Sequence, residues 1–253
     1  MVEAHGLSDP GPVRKTNEDN FISDSGLQLF VVADGMGGHS AGEVASSLAV
    51  ETILGFVRRT QEDAEFSWPY GIEPGLSFSG NRLRTAVHLA NRRVFRAAER
   101  YDEYTGMGTT VVGALISGSR MAVANAGDSR LYLFSGGKLG QLTRDDTWAA
   151  TILAAQGGAN PAAPPESMRR VLTNVLGARE QADVRLSEHD LTRGDMILLC
   201  SDGLHSVVED SAIEQAMVEA GTPADIAPRL LQLALARGAR DNITAVVARY
   251  DGA

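Results

Sequence analysis

The sequence Val31-Val32-Ala33-Asp34-Gly35-Met36-Gly37-Gly38-His39 passes from an apolar run to an aspartate and then to glycines. An apolar run of this kind is typical of a buried strand. Glycines after it allow the backbone to turn sharply and to approach a ligand closely. The stretch 196–203, MILLCSDG, repeats this design around Asp202. Two aspartates at strand ends predict a site for hard cations at the rim of a buried sheet.

Composition limits the class of protein. The chain has 253 residues, 43% of them hydrophobic and 22% charged, which is ordinary for a globular protein. Its formal net charge of −9 argues against non-specific nucleic-acid binding and against docking to an anionic membrane. The N-terminus lacks the features of a signal peptide, and no apolar run is long enough to span a bilayer. We therefore expect a cytoplasmic monomer without nucleic-acid or membrane partners.

The predicted elements come in blocks. Strands over 4–9 and 27–33 precede a helix with an N-cap at Ser40 and a second helix from Asn81 to Arg100. Short β-prone runs follow and predict an antiparallel meander over 109–117, 121–126, 129–134 and 138–142. Next come a short helix at 147–156, strands at 183–186 and 196–201, helices near 211–219 and 224–237, and a last strand at 243–250. This block order, without strict βαβ alternation, favours an α+β fold with antiparallel sheets.

Three local features have an ordinary interpretation. Residues 144–180 are irregular and rich in Gly and Pro, and we interpret them as a flap over one edge of a single domain that spans 1–253. Trp148 is predicted to anchor this flap to the core, with substrate contact as the alternative.

The single cysteine, Cys200, excludes an internal disulfide and is interpreted as a core residue. Five arginines of the second helix form a solvated face, with phosphate binding as the alternative: Arg82, Arg84, Arg92, Arg93 and Arg96.

Acidic residues stand where the chain enters or leaves five of the predicted strands. Mg²⁺ and Mn²⁺ prefer oxygen ligands, and two such ions about 4 Å apart can activate a water and clamp a phosphoryl group. Asp-Gly and Asn-Glu-Asp-Asn are also ordinary turn and cap sequences, so each position alone is more often structural. Spacing by itself thus gives only a weak metal hypothesis for Glu18-Asp19, Asp34, Asp128, Asp202 and Asp241.

Six motifs in order resemble those of the metal-dependent PP2C (PPM) protein phosphatases, in particular the compact bacterial serine/threonine phosphatases. The resemblance runs almost from end to end. It rests on GPVRKTNEDN at 11–20, VADGMGGH at 32–39, GMGTT at 106–110, GDSR at 127–130, LCSDGL at 199–204 and RDNIT at 240–244. It implies a four-layer αββα sandwich, in which two antiparallel sheets are flanked by helices.

The resemblance also implies roles for individual residues. Asp34 would bridge two Mn²⁺ or Mg²⁺ ions, and Gly35 would offer its backbone carbonyl to one of them. Asp202 and Asp241 would complete the ligands of the first ion, and Glu18 would serve the second. By the same resemblance Asp19 would orient the attacking water, Arg14 would hold the substrate phosphate, and Asp128 would be a ligand of a weaker third ion.

The chain departs from the family pattern at two places. Some relatives carry a histidine general acid where this chain has Met36, which cannot donate a proton. His39, three residues on, either acts in its place or only braces the next helix. Relatives often carry a further acid at the position of Ser206, which His205 precedes here, so the third ion would lose a carboxylate.

The leading hypothesis is a hydrolase that removes phosphate from phosphoserine and phosphothreonine in proteins. A water activated by the two metal ions would attack directly, because no side chain is placed as a nucleophile. Its partners would be phosphoproteins, with a cognate bacterial Ser/Thr kinase and its targets as the natural expectation. Two alternatives stay open: a catalytically silent module that binds phosphoproteins, and a two-metal enzyme for small phosphate esters or phosphodiesters.

Overall fold

The computed structural model describes residues 1–38, 41–62, 66–156, 168 and 171–252. The predicted N-cap Ser40, and His39 beside it, lie outside the described residues. Eleven strands form in chain order: β1 Val2–Asp9, β2 Asp19–Asp24, β3 Leu29–Met36, β4 Gly108–Thr109, β5 Val111–Ser117, β6 Arg120–Ala126, β7 Arg130–Ser135, β8 Lys138–Gln141, β9 Arg185–Asp190, β10 Met196–Cys200 and β11 Ile243–Tyr250. The helices are α1 Ala41–Glu62, α2 Phe78–Arg100, α3 Trp148–Gln156, α4 Asp202–His205, α5 Asp210–Ala220 and α6 Pro223–Ala236.

The strands form two antiparallel sheets. The first has the order β1-β11-β10-β7-β8, and the second has the order β2-β3-β5-β6-β9, with the short β4 paired to β3. Helices α1 and α2 pack on the second sheet, and helices α4, α5 and α6 pack on the first. This arrangement confirms the predicted α+β class and the four-layer sandwich of two sheets between helices.

Strand periodicity sorts the side chains of each sheet into two apolar layers. In β3, Leu29, Val31 and Ala33 face the helices, whereas Phe30 and Val32 face the other sheet. The partner sheet behaves in the same way, because successive residues of a strand point to opposite faces. All five of these β3 residues are fully buried, so the run has no polar face and reads as continuously apolar.

Helices α2 and α6 begin at a capping residue and have apolar residues at helical spacing along one buried face. In α2 the side chain of Ser77 accepts a hydrogen bond from Gly80 N, and Leu83, Val87 and Val94 lie on the buried face. In α6 the side chain of Thr222 caps the first turn and Pro223 follows, where its missing N–H costs nothing. The short α4 at Asp202–His205 is an element that hydrophobic periodicity did not predict, since four residues are too few to show a period.

Two predictions about strands were wrong. The four β-prone runs from 109 to 142 do not form one meander, because β5 and β6 belong to one sheet whereas β7 and β8 belong to the other. The chain changes sheets at Gly127-Asp128, which local turn chemistry does not distinguish from a hairpin. The strand expected at 183–186 is β9, Arg185–Asp190, whose register is set by pairing with β6.

The proposed flap is joined to the body of the molecule by backbone pairing. Thr109 pairs with Leu176, whose side chain is fully buried, and Asp146 N donates a hydrogen bond to Gly127 O, whereas the pairing of Thr147 with Leu172 lies within the flap itself. Trp148 is 50% exposed, so the prediction that it anchors the flap to the core was wrong. Residues 157–167, which fall in the middle of the predicted flap, lie outside the described residues. The single domain with a flap at 144–180 stays a prediction.

In the part of the chain that the structure describes, no helix combines the length and the apolar character that a bilayer crossing requires.

The layer between the sheets should dominate stability. Leu199 is fully buried there, so Leu199→Ala should lower the free energy of unfolding by about 2–5 kcal/mol. Leu235→Ala, at a position of α6 that is 37% exposed, is the control and should cost less than about 1 kcal/mol. Urea denaturation measures both variants. Equal losses of unfolding free energy in the two variants would mean that the layer between the sheets does not dominate stability.

Candidate metal centre

The layer between the sheets ends in polar side chains at one rim. Asp19 precedes Phe21 by two residues and Asp34 follows Val32 by two, so both carboxylates continue the face that packs between the sheets. On the other sheet, Ser201 follows Leu199 and Thr244 precedes Val246 on the same face. The strand pattern itself therefore places these polar groups against one another.

Asp19 is fixed by the opposite sheet. Its Oδ2 accepts a hydrogen bond of 2.7 Å from the hydroxyl of Ser201 and another of 2.7 Å from the hydroxyl of Thr244. Its Oδ1 is buried and has no hydrogen-bond partner within the described residues. Burial raises the pKa of Asp19 to about 7, against the opposing effect of the two hydroxyls. One carboxylate oxygen is therefore anchored and the other is left for a ligand.

Asp34 lies directly across from Asp19 in the antiparallel pair of β2 and β3. Side chains at such facing positions are close neighbours, and like charges there repel. Burial and the neighbouring carboxylates, first of all Asp19 and Asp202, raise the pKa of Asp34 well above its ordinary value. The Thr110 hydroxyl lies 3.0 Å from Asp34 N and accepts its hydrogen bond. The backbone of Asp34 is thus held in place, although burial and the neighbouring negative charges disfavour the charged form of its carboxylate.

Glu18 approaches the first turn of α1. A Cβ on Gly42 would lie 2.7 Å from the carboxyl carbon of Glu18, so only glycine leaves room for that side chain. A Cβ on Gly35 would lie 2.0 Å from Gly42 O, which makes glycine necessary there as well. Burial raises the pKa of Glu18, and the nearby Arg14 acts in the opposite direction.

Asn242 holds the segment that carries Arg14 and Glu18. Its Oδ1 accepts a hydrogen bond of 2.8 Å from Glu18 N, and its Nδ2 donates to Pro10 O and Thr16 O at 3.0 Å each. The side chain is 4% exposed, so water does not replace these bonds. The amide of Asn242, just before β11, thus bonds the segment 10–18 at three points along its length.

Arg14 forms an ion pair with Asp241, with 2.8 Å between Nη2 and Oδ2. This contact is the first cause of the raised pKa of Arg14, so the guanidinium stays charged. The pair is half-exposed and adds little stability for that reason. Arg14 thus bonds one of the predicted metal ligands, Asp241, while its side chain stays half-exposed.

Asp128 lies where the chain crosses from β6 in one sheet to β7 in the other. It is 8% exposed, and burial together with Asp202 raises its pKa to about 7. The ring of His205 lies 3.0 Å from the backbone oxygen of Asp128. His205 thus braces the crossing that carries Asp128, whereas the neighbouring Ser206 supplies no carboxylate.

A cavity of about 220 Å³ brings the predicted site residues together. Those that line it are Arg14, Glu18, Asp34, Gly35, Asp128, Asp202 and Asp241. Met36, the position of the missing histidine, also lines it and is 41% exposed. Of the predicted site residues only Asp19 is not part of this lining, because it lies between the sheets behind Asp34.

The donor set fits divalent cations. Five carboxylates line one small cavity, burial and then the neighbouring carboxylates raise the pKa values of Glu18, Asp34 and Asp128, and Asp19 Oδ1 is buried without a partner among the described residues. Oxygen-rich, negatively charged cavities suit Mg²⁺ and Mn²⁺. In the described part of the chain, no three Asp, Glu, His or Cys side chains already have the arrangement of a metal site.

Sequence reasoning missed the residues that position the acids. Thr110, Ser201, Thr244 and Asn242 stood inside the quoted motifs, but no role was assigned to their side chains. The signal was present, because each hydroxyl falls on the alternating position that would otherwise hold an apolar residue between the sheets.

The chain matches known proteins over most of its length. The family model described as protein phosphatase 2C matches residues 14–225. The serine/threonine protein phosphatase PstP of Mycobacterium tuberculosis is 36% identical over 241 residues, which make up 95% of this chain and 43% of that protein. The chain thus spans less than half the length of this relative.

Two further matches cover nearly all of both chains. The serine/threonine phosphatase stp of Listeria monocytogenes is 31% identical over 99% of this chain and 96% of the relative. The crystal structure of the catalytic domain of PstP in complex with two manganese ions has a TM-score of 0.81 and 34% identity, and the match covers 98% of this chain and 97% of that one.

Repulsion among the crowded carboxylates should make the metal-free wild-type protein less stable than a variant in which Asp34 is replaced by neutral Asn. With a chelator present, Asp34→Asn should raise the melting temperature by about 2–4 °C for each kcal/mol of repulsion that is removed. Mn²⁺ should raise the melting temperature of the wild-type chain and not that of the variant. The matched control is Asp102→Asn, an exposed position in a short turn far along the sequence. A destabilised Asp34→Asn that still shows the full manganese shift would contradict the assignment.

Loss of the three hydrogen bonds of the Asn242 side chain should increase the mobility of the segment 10–18. Asn242→Ala removes three hydrogen bonds at a buried position and should cost about 2–3 kcal/mol. Hydrogen exchange should accelerate in 10–18 before it does so in β11. Asn20→Ala is the control, since Asn20 bonds only the adjacent Phe21 N. Unchanged exchange in 10–18 would show that other contacts hold this segment.

Proposed function

Because the chain belongs to the protein phosphatase 2C family, we propose that it hydrolyses phosphoserine and phosphothreonine in proteins with the aid of two Mn²⁺ or Mg²⁺ ions. The observation that carries this proposal is the single cavity in which Arg14 faces the carboxylates of Asp34, Asp202 and Asp241. One cation for phosphate and several anions for metal ions suit a metal-assisted attack on a phosphate ester.

The acids would share the ions as follows. Asp34 would bridge the two ions, Asp202 and Asp241 would complete the ligands of one, and Glu18 and the carbonyl of Gly35 would serve the other. Asp128 would take part in a weaker third site, without a carboxylate at Ser206 to support it. Bound divalent ions lower the pKa of water and neutralise the charge that develops on phosphoryl oxygens.

Arg14 would bind the substrate phosphate. Its planar fork matches two phosphate oxygens, and its raised pKa keeps it charged. In the structure Nη2 of this fork bonds Asp241, so a phosphate that used this nitrogen would displace that carboxylate. That exchange is inexpensive because the ion pair is half-exposed.

Asp19 would orient the attacking water. Ser201 and Thr244 fix one of its carboxylate oxygens, which leaves Oδ1 with a defined direction. A water held by that oxygen loses orientational freedom before the reaction, and pre-organisation of this kind lowers the barrier. No step needs a covalent intermediate: the only cysteine, Cys200, is fully buried, and burial raises the pKa of its thiol.

A second cavity adjoins the acidic one and supports a polypeptide substrate. Its volume is about 490 Å³, and Met36 and Leu172 line both cavities. Chain on either side of a phosphorylated residue has room there, beside the base of the predicted flap. We therefore propose that residues 144–180 contribute to substrate choice, that a Ser/Thr kinase of the same cell supplies the phosphoproteins, and that the encounter takes place in the cytoplasm.

Phosphate release from a phosphothreonine peptide with Mn²⁺ tests the proposal. Asp34→Asn and Asp202→Asn should each lower kcat/KM by about 10²–10⁴-fold, because an active site with mispositioned ions loses several kcal/mol of transition-state stabilisation. Asp102→Asn should leave the rate unchanged. Activity that survives exhaustive chelation would refute the metal mechanism, and faster turnover of a nucleotide or a cyclic dinucleotide than of the peptide would refute the substrate class.

A further inference from the structure

A groove lies between the helices α1 and α2 on the outer side of the second sheet. Its volume is about 420 Å³, which is within the range of small-molecule sites. Four arginines line it, namely Arg59 of α1 and Arg92, Arg93 and Arg96 of α2. Phe56 and Leu89, both partly buried, provide an apolar floor.

The charge of this groove is opposite to that of the whole chain. The chain carries a formal net charge of −9, whereas among the described residues that line the groove Glu51 is the only acid. Arg93 is held in place by Glu51 at 3.2 Å and by the Thr52 hydroxyl at 3.1 Å. Arg59, Arg92 and Arg96 form no ion pair with any carboxylate that the structure describes. Three arginines that form no ion pair within the described part of the chain thus face one concave surface.

The groove exists because the two helices leave space on their outer side. Gly55 lines it from α1, and no atom lies within 4 Å of the position that a Cβ would take there. A solvated face of scattered arginines would not need a concave surface or an apolar floor. Here the cations stand around an indentation instead of spreading over a convex helix face.

The groove is separate from the acidic cavity. Gly42, in the first turn of α1, touches Glu18, whereas the groove begins at Glu51. At about 1.5 Å per helical residue, the groove lies roughly 13–26 Å along the helix axis from that contact. The two sites share no lining residue.

We propose that this groove binds a small ligand that carries at least two phosphoryl groups, at a site distinct from the metal centre. The guanidinium fork pairs with two oxygens of a phosphoryl group at once, and several arginines at short range suit a chain of such groups. The apolar floor offers a surface for a base or another flat body next to the phosphates. Binding would also relieve the repulsion among Arg59, Arg92 and Arg96.

Calorimetric titration of the full chain with ATP, tripolyphosphate and adenosine, without added metal, tests the proposal. Arg92→Gln with Arg96→Gln should weaken binding of the phosphate-bearing probes at least about tenfold, since each charge-assisted hydrogen bond contributes substantially to affinity. Both residues are exposed, so the variant should fold with an unchanged melting temperature. Arg93 stays intact because it bonds Thr52 and Glu51.

The control variant carries Arg58→Gln and Arg100→Gln, which make the same change of charge on the same two helices outside the groove. It should bind within about twofold of the wild-type chain, and so should Asp34→Asn, in which the metal centre is disabled. Tighter binding of ATP than of tripolyphosphate identifies nucleotides as the source of the phosphates, and equal binding identifies the phosphate chain alone.

Several outcomes would overturn the proposal. They are no measurable binding of either phosphate-bearing probe, equal losses in the groove variant and the control variant, loss of binding in Asp34→Asn alone, and binding of adenosine as tight as that of ATP. Because no step of this test measures phosphatase activity, its failure is distinguishable from failure of the proposed function.

Discussion

Repulsion between carboxylates that share one rim of the sandwich is the constraint on which the rest of the site depends. Asp19 and Asp34 face each other across β2 and β3, with Asp128 and Asp202 close enough to raise the pKa of a neighbour. A fold tolerates such crowding only if the backbone beneath it is held by other means. The continuous apolar layer between the sheets provides this support, because it ends directly under the acids.

Neutral groups fix the acids, which leaves their charge available. Hydroxyls of Ser201 and Thr244 hold Asp19, the Thr110 hydroxyl bonds the backbone of Asp34, and the amide of Asn242 holds the segment of Glu18. Lysine or arginine in these positions would neutralise the carboxylates and compete with a metal ion. Among the described residues that line the cavity, Arg14 is the one cation, and it is held by a half-exposed ion pair that can exchange.

Helix α1 connects two regions of opposite sign. Its first turn, through the space left at Gly42, packs against Glu18 of the acidic cavity. Its second half lines the arginine-rich groove with α2. The first of these contacts depends on the missing side chain of Gly42, which leaves room for Glu18. The net charge of −9 therefore agrees in sign with the acidic cavity and conceals the positive groove.

The sequence by itself determined the fold class, most of the elements and the acids of the cavity, because strand alternation, helical stripes and motif wording are local properties of the chain. β11 was predicted at Ile243–Tyr250, where it is found, and all seven predicted site residues other than Asp19 line one cavity. Only the tertiary structure decided that the chain changes sheets at Gly127-Asp128, that β9 runs from Arg185, that Trp148 is exposed, and that Arg14 holds Asp241. The physical reason is that each of these depends on a partner distant in sequence, and no local pattern encodes which distant segment will be in reach.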